Sequence, residues 1–176
     1  MLTFEGHAIV STDGMIADAA GAYPDALRND ADWRLYQAAL DAAAIVVLGR
    51  RAHERHPNPG RRRLVVTRSV DRATPDASDP RAVLWNPAHA TLGAVLAELG
   101  IVSGVVALTG LFDLFVPHYD RFVLSEHHDL VLAAGRPCFS SGHPRAVLAA
   151  HALVPDRPLV IDADAMVTTT TWRRRR

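Results

Sequence analysis

The chain has 176 residues, and its 19 basic and 19 acidic side chains cancel to a formal net charge of zero. That balance argues against general nucleic-acid or membrane binding. Every basic residue is Arg, which excludes a lysine nucleophile, and the single Cys138 excludes a disulfide framework or cysteine-rich metal site.

The length predicts one domain over residues 1–176. No apolar run is long enough to span a bilayer, and the N-terminus has no charged segment leading an apolar one, so a soluble cytoplasmic protein is expected. The closing Trp172-Arg173-Arg174-Arg175-Arg176 lacks aromatic interleaving, and residues 170–176 read as a frayed, solvated tail.

Residues His7 to Thr12 predict a first strand. Asp13-Gly14 is a strong turn signal, and Met15-Ile16-Ala17 follows as a short apolar step. Asp18 to Arg28, rich in Ala, Gly, Asp and Pro, predicts a long irregular loop, a frequent place for function. Asn29 or Asp30 can cap a helix running to about Ala43, with Trp33, Tyr36, Leu40 and Ala43 as its apolar face. Asp32 lies in the first turn, where the helix dipole favours a carboxylate without further purpose.

Ala44 to Leu48 is an unbroken apolar run that predicts a strand buried on both faces. Gly49 ends it and Arg50-Arg51 follow. One or two helical turns at Arg51 to His56 run into Pro57-Asn58-Pro59-Gly60. His53 and His56 stand at i and i+3, unlike the H-E-x-x-H arrangement, so no metal site is predicted. A second strand, Leu64 to Thr67, ends in Arg68-Ser69. Two strand ends thus each deliver a small residue and arginines, which suits a phosphate. The competing reading is a plain solvated surface, the default for exposed Arg.

Val70 to Pro80 predicts a polar connection and Arg81 to Trp85 a short strand. Thr91 caps a helix to about Leu99, with Leu92, Val95, Leu96 and Leu99 on one side and Gly100 as its stop. Gly104 to Leu108 is a buried strand, turned by Thr109-Gly110 into a short helix, Leu111 to Val116. Tyr119 to Ser125 is a strand. Glu126-His127-His128-Asp129 reads as a hydrated loop, because consecutive strand residues cannot converge on one ion. Val131 to Pro144 is irregular and holds Cys138, expected as a buried inert thiol. Ala146 to Val154, Pro158 to Ile161 and Met166 to Trp172 read as terminal strands. Strands alternate with helices in the first two-thirds and then stand alone. That order predicts a three-layer α/β fold with a mixed, mostly parallel sheet, helices on both faces and antiparallel C-terminal strands.

The sequence order of strand, Gly49-Arg50-Arg51, short helix, Pro59-Gly60-Arg61, strand and Thr67-Arg68-Ser69 resembles the dihydrofolate reductase and riboflavin-pathway reductase superfamily. Ala8 to Ala17 (AIVSTDGMIA) is similar to that family's opening strand and active-site loop. The resemblance implies NADPH as cofactor. It implies cofactor contacts at Ala8, Ile16, Ala17, Gly49, Arg50, Arg51, Thr67, Arg68, Ser69, Thr109, Gly110, Leu111 and Phe112. Two positions depart from the pattern: Ala52 stands where the family has Thr, and Thr109 where it has Gly, so the Thr109 side chain is expected either to impede the dinucleotide's approach or to replace a contact through its hydroxyl.

On the substrate side, Asp32 resembles the helical carboxylate that holds a pterin, with Asp30 as the alternative. Ser125 resembles the hydroxyl residue that bonds this carboxylate, so Asp32 and Ser125 are the implied catalytic pair. Tyr36 and Arg61 are implied in substrate binding, Arg61 as a carboxylate clamp. The expected activity is NADPH-dependent hydride transfer to a pterin-like, folate-like or related heterocycle, without a metal. A riboflavin-type pyrimidine reductase and a non-catalytic ligand-binding protein are the alternatives. The expected partner is a small-molecule substrate, and a homodimer is left open.

Overall fold

The computed structural model describes residues 1–56, 58 and 60–175. In chain order its elements are β1 (Leu2–Ser11), β2 (Met15–Ala17), a 3-10 turn (Asp25–Leu27), α1 (Asp30–Ala42), β3 (Ile45–Gly49), α2 (Arg50–Arg55) and β4 (Arg63–Val66). There follow β5 (Thr74–Asp76), β6 (Asp79–Trp85), α3 (Leu92–Glu98), β7 (Gly104–Leu108), α4 (Phe112–Phe115) and a 3-10 turn (Val116–His118). The remainder is β8 (Arg121–His127), β9 (Arg136–Pro137), α5 (Pro144–Ala150), β10 (Leu153–Pro155), β11 (Leu159–Asp162) and β12 (Val167–Arg174). This is an α/β fold with a mostly parallel central sheet, antiparallel strands and surrounding helices.

Two compact units divide the chain, one of Met1–Phe4 and Ala39–Leu111, the other of Glu5–Ala38 and Phe112–Arg176. In the first, β3 pairs in parallel with both β7 and β4, and β4 with β6. Ile45, Val46, Val47 and Leu48 are almost fully buried, as an unbroken apolar run demands. The polar connection expected over Val70 to Pro80 instead contains β5, antiparallel to β6. Asp76 makes that hairpin possible, since its carboxylate accepts from the Ser78 N–H and hydroxyl at 2.8 and 2.7 Å. Arg63 is buried in the wall of this unit and ion-paired to Asp79. Pro57 and Pro59 of the expected turn lie outside the described residues; Asn58 and Gly60 have left-handed φ of 46° and 84°.

In the second unit, β8 pairs in parallel with β1 and antiparallel with β12, and β12 carries β10 and β11. Four sequence expectations are corrected here. Glu126 and His127 belong to β8 rather than to a hydrated loop. Glu126 is 4% exposed and takes a fork of hydrogen bonds from Arg145 at 2.7–3.0 Å. Ala146 to Ala150 is helical, not a strand, because Pro144 opens α5 and the Ala-rich run favours helix. Thr170 to Arg174, expected to fray, completes β12 and buries Trp172. Finally, Trp33 is 58% exposed. The inward side of α1 carries Tyr36, half-buried, and Leu40, buried, as expected, but with the buried carboxylate of Asp32 in place of Trp33.

Candidate functional site

The first unit gathers backbone ends. Because β4, β3 and β7 are parallel neighbours, their C-terminal ends share one rim. Gly49 is level with Val66, and Val47 with Leu108. The segments Gly49-Arg50-Arg51, Thr67-Arg68-Ser69 and Thr109-Gly110-Leu111 therefore leave the sheet side by side.

Arg50, Arg51 and Arg68 are all exposed on this rim. Among the described residues Arg50 pairs with Glu54 at 3.4 Å, with both side chains more than half exposed. An exposed i,i+4 pair of that kind holds a guanidinium weakly. Thr67 Oγ1 lies 3.0 Å from Ser69 Oγ and accepts from the Ser69 N–H at 3.3 Å, which tightens the loop after β4. Ala52 is exposed in α2 and offers no hydroxyl there.

Thr109, the residue expected to crowd this rim, turns its hydroxyl away. Its N–H and its Oγ1 both donate to Val47 O, at 2.8 and 3.2 Å. Beyond it, Gly110 and Leu111 have φ of 58° and 46°. Two successive left-handed residues fold the chain back, and the second is a leucine, for which that backbone is strained. A Cβ placed on Gly49 would lie 3.3 Å from Leu111 Cδ1, so Leu111 lies against Gly49.

Arg61 is engaged elsewhere: its Nε and Nη2 donate to Asp41 Oδ1 at 2.9 and 2.7 Å. His53, from the rejected metal motif, lies 3.2 Å from Asp76 Oδ2. That contact helps hold the Asp76 carboxylate below its ordinary pKa, after the larger contributions of the Ser78 hydroxyl and N–H.

The second unit carries a polar group of a different kind. Asn29 caps α1, its Oδ1 accepting from the Ala31 and Asp32 N–H groups at 3.0 and 3.1 Å. That cap sets Asp32 one turn into the helix, where it is 6% exposed. Its carboxylate meets the buried His7 of β1, with Nε2 at 3.2 Å from Oδ1. When the carboxylate is ionised it only accepts, and Nε2 is then the donor of this contact. Tyr36 packs on the imidazole with ring centroids 5.2 Å apart. Tyr23 turns its hydroxyl onto Leu27 O at 3.1 Å. Burial first and the Asp32 charge second push its pKa up to about 12.

Ser125, expected to bond Asp32, is fully buried and its Oγ has no hydrogen-bond partner among the described residues. The residue found with Asp32 is His7, which the sequence reading missed. Its signal in the sequence was an imidazole on one side of a strand whose row there, Thr3, Glu5, His7, Ile9 and Ser11, is mostly polar. Thr169 stands opposite Ser125 across β8 and β12, with its buried Oγ1 likewise unpartnered among the described residues. Buried hydroxyls of this kind accept a ligand or an ordered water.

Ala8 and Ala17 are buried and Ile16 is half-buried. Phe112 packs against Phe122 and Phe139, each ring centroid 5.9 Å away, which is the placement of a core ring. Cys138 is buried, and burial pushes its thiol pKa well up, away from reactivity.

No family model and no curated protein matches the sequence. Solved structures do match. A riboflavin biosynthesis protein from Shewanella sp. PV-4 superposes with a TM-score of 0.70 at 18% identity, over 99% of each chain. A dihydrofolate reductase from Enterococcus faecalis, complexed with NADP(H) and RAB-propyl, gives a TM-score of 0.67 at 18% identity, over 99% of this chain and 97% of the other. The chain has the dihydrofolate reductase-like fold. A Thermotoga maritima diaminohydroxyphosphoribosylaminopyrimidine deaminase/5-amino-6-(5-phosphoribosylamino)uracil reductase gives 0.67 at 14% identity. The match covers 98% of this chain but 56% of that one. The dihydrofolate reductase-like fold thus serves more than one substrate class among these structures, and the fold alone does not choose between them.

Proposed function

We propose that the chain is an NADPH-dependent reductase acting on a small heteroaromatic substrate. The observation that carries the reading is the shared rim of β4, β3 and β7, where three loops bring exposed Arg50, Arg51 and Arg68 beside the Thr67 and Ser69 hydroxyls. Residues of this kind fit a phosphorylated dinucleotide. Guanidinium forks match phosphate oxygens, and hydroxyls complete the set. Arg50 and Arg68 would hold the 2′-phosphate, and the Gly110 turn would face the pyrophosphate.

Bound NADPH would supply the hydride. The chain's own part is to orient the acceptor ring and to favour its protonated form. A carboxylate held away from water stabilises positive charge on a ring nitrogen. Asp32 fits that role, with His7 fixing its Oδ1 and leaving Oδ2 for the substrate.

A pterin or folate-like substrate was the first expectation. The engagement of Arg61 with Asp41 favours a substrate without a carboxylate tail, such as a ribosylaminopyrimidine. The test is NADPH oxidation followed at its absorbance band with dihydrofolate and with a pyrimidine ribosyl substrate. Turnover with the pyrimidine alone supports the second substrate class, and turnover with dihydrofolate alone supports the first. Failure of the protein to bind either nicotinamide cofactor removes the reductase reading.

A further inference from the structure

Thr109 was the sequence's candidate obstacle to a dinucleotide, but its hydroxyl is committed to Val47 O. The residue that stands over the strand end is Leu111. Its Cδ1, Cγ and Cδ2 lie 3.3, 3.5 and 3.7 Å from where a Gly49 Cβ would be. It is also 44% exposed, so core burial does not explain a large apolar side chain there. Its φ of 46° is one that a leucine adopts only under constraint. A half-exposed leucine on strained backbone, leaning on the glycine that leads into Arg50 and Arg51, has no evident structural reward.

We propose that Leu111 is a steric plug: its side chain covers the Gly49 end of β3 and limits how closely a dinucleotide can approach. This rests on the reductase reading given above. The bare Gly49 lets Leu111 sit this close, because a Cβ there would lie 3.3 Å from its Cδ1, tighter than an ordinary contact. The plug also accounts for the Thr109 departure. With the Thr109 hydroxyl turned into the sheet, access at this rim is set by the residue two places on.

The experiment is a side-chain size series at position 111, with NADPH binding read by the change in nicotinamide fluorescence. L111A, wild type and L111F all keep a Cβ, so the backbone restriction is common to them and only bulk changes. L111G removes both. Circular dichroism establishes that each variant is folded. Kd is expected to fall about tenfold in L111A and L111G, equivalent to ~1.4 kcal/mol, and to rise in L111F. Binding by wild type that neither small variant tightens overturns the plug while leaving the reductase reading intact. Binding by none of the four proteins overturns both. Binding by L111A and L111G but not by wild type supports the plug in its strongest form.

Discussion

The two units hold their polar groups under opposite conditions. On the rim of β4, β3 and β7 the charges are exposed arginines, loosely held or turned to water. Around β1, β8 and α1 the polar groups are buried: the His7–Asp32 pair, Ser125 and Thr169. Exposed cations are inexpensive to keep, act at a distance and weaken with salt. Buried groups cost desolvation and depend on fixed geometry. The first arrangement suits capture of a multiply charged ligand, the second suits chemistry on an uncharged ring.

That contrast can be broken one side at a time. The largest expected effect is on chemistry. Asp32→Asn should lower turnover about 100-fold and leave NADPH affinity within a few-fold of wild type, as separated by steady-state kinetics and a binding titration. Next, Arg50→Ala and Arg68→Ala should each weaken NADPH about tenfold at low salt, with smaller losses at high salt. Loss of turnover without loss of affinity in these two would reverse the assignment of the units.

Smaller effects sharpen the picture. Arg145→Ala strips the buried Glu126 of its fork and should cost about 2 kcal/mol of stability, seen as a lower urea midpoint. Thr109→Gly should change NADPH affinity less than about threefold, because the lost hydroxyl faces Val47 O rather than a ligand.

The smallest effect is on acid stability. Hydrogen bonds from Ser78 and then His53 hold the Asp76 carboxylate below its ordinary pKa. A depressed carboxylate adds stability that is full above its unfolded pKa and is lost as pH falls through the folded one. Ser78→Ala should therefore lower the urea midpoint slightly at neutral pH, with the difference from wild type shrinking as pH falls through the carboxylate range.

Much of the fold was legible because it is written in local pattern. The apolar runs of β3 and β7, the Thr91 cap and the Gly100 stop all read correctly, since each rests on neighbouring residues. β5 was missed because a three-residue strand with Pro75 inside has no periodicity to detect. The tail was misread because its arginines suggested solvent. Yet Arg173 pairs with Asp156, and Arg174 donates to Tyr119 O and Pro117 O, so the charges serve strand pairing.

Of the candidate site, the rim segments were visible from their order along the chain. The His7–Asp32 pair was not. It joins residues 25 positions apart across a strand and a helix, and no spacing rule reports such a contact. Leu111 was hidden for another reason. Its importance lies in a backbone angle, and a leucine gives no sequence sign of a positive φ.

The most direct test compares NADPH with NADH binding to wild type and to the Arg50→Ala/Arg68→Ala double variant at low salt. Our account predicts that wild type prefers NADPH by about tenfold or more and that the preference collapses in the double variant. Equal affinity for the two cofactors in wild type, or a preference that survives loss of both arginines, would contradict it.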